Sequence, residues 1–384
     1  MPEPREDVTT RPENAYDVAV VGLGGMGSAA AWHLARRGHR VLGLERFGAA
    51  HEMGSSHGRS RIIRQAYFEG PEYVPLLLRA YELWEELQRE SGRDLLRITG
   101  ALMIGSPQGE LVSGSLGSAG EHGLPHELLD ARRLRERFPA LKPSPDEVAL
   151  YEERGGFLQP EECVRAHLDL AAKRGAELHF EEPVLSWRAT GDRVEVRTAS
   201  GAYEAEHLVI TAGPWAPELL SDLGLPLRVE RRVMLWFEHR PGTPLPVVLW
   251  EPEDGELFYV IPDGWRGGVK AALHHAGGSR CTPETLDREI REEEVLSVRE
   301  RLARYIPALA GRCLDAKACM YTLTPDGHFV VSRHPAEPRV AMACGFSGHG
   351  FKFCGVVGEI LADLISEGTT PHPIGLFSPG RFAR

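Results

Sequence analysis

The stretch from Tyr16 to Glu45 constrains this chain more than any other. Tyr16-Asp-Val-Ala-Val-Val-Gly22 is a short β-branched run suited to a strand buried on both faces, as in a parallel sheet. It leads into Gly22-Leu-Gly24-Gly-Met-Gly27 and then an Ala-rich helical stretch closed by Gly38. Arg40-Val-Leu-Gly-Leu-Glu45 reads as a second strand. Glycines in GxGxxG order between a strand and a helix serve a tight turn, the close approach of a pyrophosphate and helix packing. Amides at the helix start, with the helix dipole, favour the diphosphate. Glu45 stands about 20 residues on, where a carboxylate can accept hydrogen bonds from a ribose. Gly22, Gly24, Gly27 and Glu45 therefore predict a dinucleotide site, and this motif alone does not choose between NAD and FAD.

The rest of the chain supports a discontinuous α/β organisation. Apolar residues at Leu77, Ala80, Tyr81, Trp84 and Leu87 mark one face of a helix ending near Gly92. Residues 96–149 alternate short apolar stretches with Gly, Pro and Ser, as a sheet-bearing insertion does. An Ala/Leu helix runs from Glu161 to Gly175, and His207-Leu-Val-Ile-Thr-Ala-Gly213 returns to the first domain. Mixed strands and an acidic helix around Glu284–Arg304 occupy 226–314. Arg339-Val-Ala-Met-Ala-Cys-Gly345, a Gly/His loop and a helix over Val356–Ser366 resume the α/β pattern. The expected fold is a Rossmann-like, discontinuous α/β cofactor domain over 1–95, 150–225 and 315–384. An α+β substrate domain with a mixed or antiparallel sheet is expected over 96–149 and 226–314.

Composition narrows the function classes. The 384 residues carry a formal net charge of −11, which argues against a nucleic-acid partner. Every apolar run is cut by charge, Gly or Pro well short of the roughly 20 residues a membrane span needs. The charged, Pro-containing first fifteen residues read as a loose leader with no secretory h-region, so the cytoplasm is the expected location. The six cysteines show no CxxC pair and no zinc-type spacing, so thiols and no metal are expected.

Leu208-Val-Ile-Thr-Ala-Gly213-Pro-Trp has the strand-and-glycine form that recurs in FAD-binding two-domain oxidoreductases, which tilts the dinucleotide toward FAD. Three further segments carry a specific resemblance. They are Gly54-Ser-Ser-His57-Gly-Arg-Ser-Arg61-Ile-Ile-Arg64, Ala318-Cys319-Met-Tyr321-Thr and Gly345-Phe-Ser-Gly348-His349-Gly350-Phe-Lys352. With them the chain, from about Tyr16 to Phe382, resembles the monomeric sarcosine oxidase family. That family includes N-methyltryptophan oxidase and L-pipecolate oxidase, among the D-amino acid oxidase-like flavoproteins. The resemblance implies a monomeric, FAD-dependent oxidase of small secondary amino acids such as sarcosine, using O2 and releasing H2O2. L-pipecolate or N-methyl-L-tryptophan oxidation, and a dehydrogenase using another electron acceptor, stay open as alternatives.

The resemblance also assigns roles. Cys319 stands where the family joins the 8α carbon of FAD through a thioether, an 8α-S-cysteinyl link. Arg64 and Lys352 match the carboxylate-binding pair, where a guanidinium grips through two parallel bonds and an ammonium supplies a compact charge. Lys270 matches a lysine associated with oxygen activation, since a preorganised cation stabilises a superoxide-like anion. His57, Arg61, Tyr259, His274 and Tyr321 fall on positions that line the flavin and substrate pocket. Arg46, Gly213, Gly348 and Gly350 join the expected cofactor contacts, the last two through amides at a helix start. Some residues depart from the sarcosine pattern. Ser56 replaces a His, Arg59 stands where an acid is usual, and Gly327 follows Asp326; the Ser-Ser-His-Gly and Thr-Ala-Gly-Pro-Trp forms are closer to the pipecolate-oxidising branch.

Overall fold

The computed structural model describes residues 15–239, 244–274 and 278–382, so the leader reading falls on residues outside it. Strand Ala15–Val21 lies in the middle of the first sheet, paired in parallel with Val41–Leu44 on one side and Ala202–Ile210 on the other. Glu177–His179 and Val340–Cys344 extend the parallel run outward on the two sides. An antiparallel ribbon of Val184–Thr190 and Arg193–Thr198, with Val330–Arg333, completes eight strands. The chain leaves Ala15–Val21 for one neighbour through helix Gly25–Arg36 and reaches the other only much later. The carboxyl ends of Ala15–Val21 and Ala202–Ile210 thus flank the switch point at which open α/β sheets take their ligands.

The first turn fits against that neighbour with no room to spare. Gly22 has φ of +85°, and a Cβ there would lie 2.7 Å from the Thr211 carbonyl oxygen. Gly27 serves a different need: its Cβ would lie 1.8 Å from the Gly22 carbonyl oxygen, so only a hydrogen lets the helix start so close to the strand. Helix Gly25–Arg36 packs between Pro160–Lys173 and Cys354–Ser366. A Cβ on Gly358 would stand 2.6 Å from the Ala29 carbonyl carbon, which explains the small residues along this crossing. Val74–Ser91 buries Leu77, Ala80, Tyr81, Trp84 and Leu87, the face that its periodicity predicts, and Gly92 follows at φ +67°.

The second sheet is the mixed one expected. Its order is Cys313–Leu323, Arg228–Glu238, Gly268–Leu273, Phe258–Ile261, Val247–Glu251, Ala101–Gly105, Val148–Glu152 and Glu127–Asp130. All neighbours are antiparallel except Val247–Glu251 beside Ala101–Gly105. A three-stranded sheet of Arg61–Ile63, Gly156–Leu158 and Leu96–Ile98 accompanies the two large ones.

Several sequence boundaries move. The expected breaks near 315 and 150 fall inside Cys313–Leu323 and Val148–Glu152, both strands of the second sheet. Long-range pairing decides this, because Cys319 sits opposite Arg232 in register and nothing local announces that partner. The acidic helix begins at Glu292, where the Glu294 side chain accepts from the Arg291 amide at 2.8 Å, and the residues before it are irregular. The last long helix begins at Cys354, after a 3-10 turn over Phe351–Phe353. No helix among the described residues is long and apolar enough to cross a membrane.

Gly27→Ala should therefore cost about 1–3 kcal/mol of stability through overpacking. Urea unfolding of the purified variant measures this, and wild-type stability would contradict the tight turn.

Candidate active site

One cavity runs from the first turn to the face of the second sheet. Its wall includes Gly22, Gly24, Glu45, Arg46, Gly213, Arg61, Arg64, Tyr259, Lys270, His274, Cys319, Tyr321, Gly348, Gly350 and Lys352. Glu45 is fixed at the tip of Val41–Leu44, where its carboxylate accepts from the Leu23 amide at 2.7 Å and the Phe47 amide at 3.0 Å. The Gly25 amide donates to the Ser56 hydroxyl at 2.9 Å. Thr211 closes the other side, its hydroxyl donating to the Gly22 carbonyl at 2.8 Å. Arg46 lies 3.2 Å from Glu284, with its guanidinium 5.4 Å from the centre of the Trp215 ring.

Segment 54–61 carries the next group. Arg61 donates to the carbonyls of Ser60 and Ser55, both at 2.9 Å, and approaches the Cys319 sulfur at 3.8 Å. The Ser55 hydroxyl reaches the Met320 carbonyl at 2.8 Å, joining this segment to the strand that carries the cysteine. Lys270 is fully buried and donates to the carbonyls of Gly58 at 3.0 Å and Ser60 at 2.6 Å. Burial, then the neighbouring Arg61 charge, push its pKa well below the ordinary lysine value. Tyr321 and His274 meet at 3.4 Å, and burial pushes the Tyr321 hydroxyl up to about 12. Gly348 at φ +86° passes so close to the Tyr321 ring that a Cβ would lie 2.2 Å from it.

The two expected carboxylate ligands share one aromatic neighbour. The Arg64 guanidinium carbon lies 4.3 Å from the centre of the Tyr67 ring and Lys352 Nζ lies 5.0 Å from it. Arg64 is 2% exposed and already engaged, donating to the Ala66 carbonyl at 2.7 Å and to Glu69 at 2.6 Å. Burial alone would raise the Glu69 pKa, but Arg64, His349 and Lys352 outweigh it and hold that carboxyl at about 2. Lys352 donates to the His349 carbonyl at 2.7 Å and the Tyr67 hydroxyl at 3.2 Å, and burial draws its pKa down to about 7.

Two expected positions do not reach this wall. His57 is 1% exposed, has neither ring nitrogen hydrogen-bonded, and stays neutral because burial and then Arg61 push its pKa down to about 2. It belongs to the packing of the segment, not to the pocket lining. Gly27 likewise supports the turn from within. No motif of the sequence marks Glu69, Tyr67 or Arg232, which the structure brings to the site. Glu69 and Tyr67 fall just after Arg64, and that closeness was the only available signal.

The chain is similar to known FAD dependent oxidoreductases over most of its length. The family described as DAO, FAD dependent oxidoreductase, matches residues 17–364. Monomeric sarcosine oxidase of Streptomyces avermitilis is 55% identical over 377 residues, covering 96% of this chain and 98% of its own. N-methyl-L-tryptophan oxidase of Yersinia pestis is 32% identical, with 96% and 99% covered. Among solved structures, an amino acid oxidase essential for nikkomycin biosynthesis superposes with a TM-score of 0.86 at 26% identity, over 95% of this chain and 98% of that one. L-proline dehydrogenase from P. horikoshii gives 0.84 at 25%, over 97% and 98%.

Glu69 has a folded pKa below its unfolded value, so its contribution to stability is present above about pH 4 and is lost as pH falls toward about 2. Glu69→Gln should flatten the stability profile across that window. Urea unfolding at a series of pH values checks it, and an unchanged acid slope would count against the Arg64–Glu69 pair.

Proposed function

We infer, from the premise that the chain belongs to the DAO family of FAD dependent oxidoreductases and to its sarcosine oxidase group, that it is a flavin-dependent amine oxidase acting on a small secondary amino acid. The observation that carries this reading is the single cavity wall on which the glycine-rich turn and Glu45 meet Cys319, Lys270, Arg64 and Lys352. The close-fitting turn at Gly22, the amides near Ser56 and the Glu45 carboxylate fit the diphosphate and ribose of FAD. FAD, when bound, accepts two electrons from the substrate C–N unit and passes them to O2.

The chain's own residues supply binding, orientation and charge. Arg64 and Lys352, both beside the Tyr67 ring, hold the substrate carboxylate. Tyr259, His274 and Tyr321 bound the space beside the amine. Arg61, fixed by the carbonyls of Ser55 and Ser60, keeps a cation beside Cys319, which we assign as the 8α-S-cysteinyl attachment point. A cysteine that bonds covalently needs such an electropositive neighbour. Lys270, its proton loosened by burial, supplies charge to dioxygen as it is reduced. For sarcosine the balance is sarcosine, water and O2 giving glycine, formaldehyde and H2O2, with the imine hydrolysed in water. The enzyme works as a monomer, and its six free cysteines suit a reducing cytoplasm.

Sarcosine, L-pipecolate, L-proline and N-methyl-L-tryptophan, tested for flavin bleaching under anaerobiosis and for peroxide in air, decide the activity. Bleaching by none of them would end the reading, and bleaching without peroxide would make it a dehydrogenase. Lys270→Met should leave anaerobic reduction within about tenfold and slow reoxidation by about 100-fold or more, as loss of one preorganised charge does. Equal reoxidation rates in stopped flow would remove Lys270 from the oxygen step. Acid-denatured wild type should retain yellow colour with the protein, and Cys319→Ser should release it. Complete release from wild type would rule out the thioether.

A further inference from the structure

Lys352 stands at the end of a hydrogen-bond chain whose direction is fixed by its far end. His349 Nε2 lies 3.1 Å from the carbonyl oxygen of Gly327, and a carbonyl only accepts, so that nitrogen carries the ring proton. Burial, opposed by Glu69, holds His349 at a pKa of about 4, so near neutral pH its Nδ1 is a bare acceptor. The Tyr67 hydroxyl is 2.7 Å from Nδ1 and must donate its one proton there. Toward Lys352, 3.2 Å away, the same oxygen can then only accept. Tyr67 cannot turn aside. It is fully buried, with ring centres of Tyr73 at 5.1 Å and Phe353 at 5.5 Å and the Arg64 guanidinium over its face.

The end of the chain is pinned as well. The Gly327 carbonyl lies in a turn in which Arg381 binds Asp326 at 2.7 Å and the His328 carbonyl at 2.8 Å. The Tyr73 hydroxyl meets His328 Nδ1 at 3.0 Å, so the aromatic cluster under Tyr67 holds the same turn. A run of side chains from the C-terminal segment to the pocket thus ends on the one lysine that the carboxylate needs.

We propose that Tyr67 and His349 are positioning residues for the substrate carboxylate: their one-way relay, anchored on Gly327, presents a permanent acceptor that keeps the Lys352 amine protonated and aimed. The proposal rests on the reading that Lys352 binds that carboxylate. The ionisable groups around Lys352 are Tyr67, Glu69 and Arg64 from the segment after strand Arg61–Ile63, His349 in its own loop and Cys354 in the next turn. Glu69 favours its charge, and burial and Arg64 oppose it. An ammonium accepted by a fixed oxygen loses its proton at higher pH than one left bare. A bound carboxylate requires that proton, so its affinity falls as pH rises through the lysine pKa. Removing the Tyr67 oxygen should bring that fall on earlier.

Acetate is the probe, titrated by its perturbation of the flavin absorbance in purified holoenzyme from about pH 6 to about pH 9. In Tyr67→Phe the alkaline midpoint of acetate binding should move down by about one pH unit, with weaker binding at neutral pH. Tyr67→Phe combined with Lys352→Arg should show no alkaline limb in this range, because a guanidinium keeps its proton. An unmoved midpoint in Tyr67→Phe overturns the relay. Should that variant lose its flavin, His349→Gln is read the same way, a downward shift supporting the relay and an unmoved midpoint overturning it. Lys352→Met separates the two levels. If it binds acetate as wild type does, the carboxylate reading falls; if it loses acetate while Tyr67→Phe keeps its midpoint, only the relay falls.

Discussion

Backbone carbonyls of one short segment hold the cations around which this cavity is built. Gly58 and Ser60 accept from Lys270, and Ser55 and Ser60 accept from Arg61, so residues 54–61 act as a polar cradle inside an otherwise buried junction. An ammonium has three donors, and two of them are used here by neutral oxygens. Stripping a lysine of water disfavours its charge, and those carbonyls, with the nearby carboxylates of Asp263 and Glu161, offset part of the loss. The segment is itself held by a carboxylate, since Glu161 accepts from the amides of Gly58 at 2.7 Å and Arg59 at 3.1 Å. Arg59, at φ +65°, lays its guanidinium 3.5 Å from the Trp265 ring centre and pairs with Asp315.

That cradle also registers the two large sheets. Glu161 stands at the start of the helix that packs on Gly25–Arg36, while Met320, Lys270 and Asp315 belong to the second sheet. A displacement of 54–61 would therefore move the cysteine strand and the lysine strand relative to the glycine-rich turn. The chemistry proposed here needs all three in register. This accounts for a buried, neutral His57 in the middle of the segment: it fills space that a polar, hydrated side chain would loosen.

Much of the fold was legible because it is written locally. The β-branched run, three glycines and Ala-rich helix from Tyr16 to Gly38 each carry their own reason to adopt the observed form, and Gly22 and Gly27 meet atoms that forbid any side chain. The helix face from Leu77 to Leu87 declared itself by spacing. Legibility stopped where the structure depends on distant pairing. Nothing near Cys313–Leu323 says that it lies against Arg228–Glu238, so a division read from local pattern cuts through a strand. Cys319, Lys270 and Lys352 stood out through resemblance, since no composition or period separates them from ordinary buried residues. Glu69 and the direction of the Tyr67–His349 contact needed coordinates, because an acid beside an arginine in sequence is as often a solvated pair.

The two cations of the proposed clamp differ in what a ligand gains from each. Arg64 is buried with Glu69 as its counter-ion, and taking either partner away would leave an uncompensated charge in the core at a cost of several kcal/mol. A ligand carboxylate arriving at Arg64 meets a guanidinium whose charge is already neutralised, so its gain there is only the difference between two similar ion pairs. Lys352 donates to a phenol and a carbonyl, both neutral. A carboxylate that reaches it forms an ion pair where none existed, in a place that water scarcely enters, and charge-assisted hydrogen bonds of that kind are the strong ones. In the proposed clamp, Arg64 with Glu69 therefore shapes the site before anything binds, and the gain from a carboxylate would fall chiefly on Lys352. On that asymmetry, the proposed relay makes the protonation of a single lysine, through the tyrosine and histidine beside it, the point at which pH would act on the pocket.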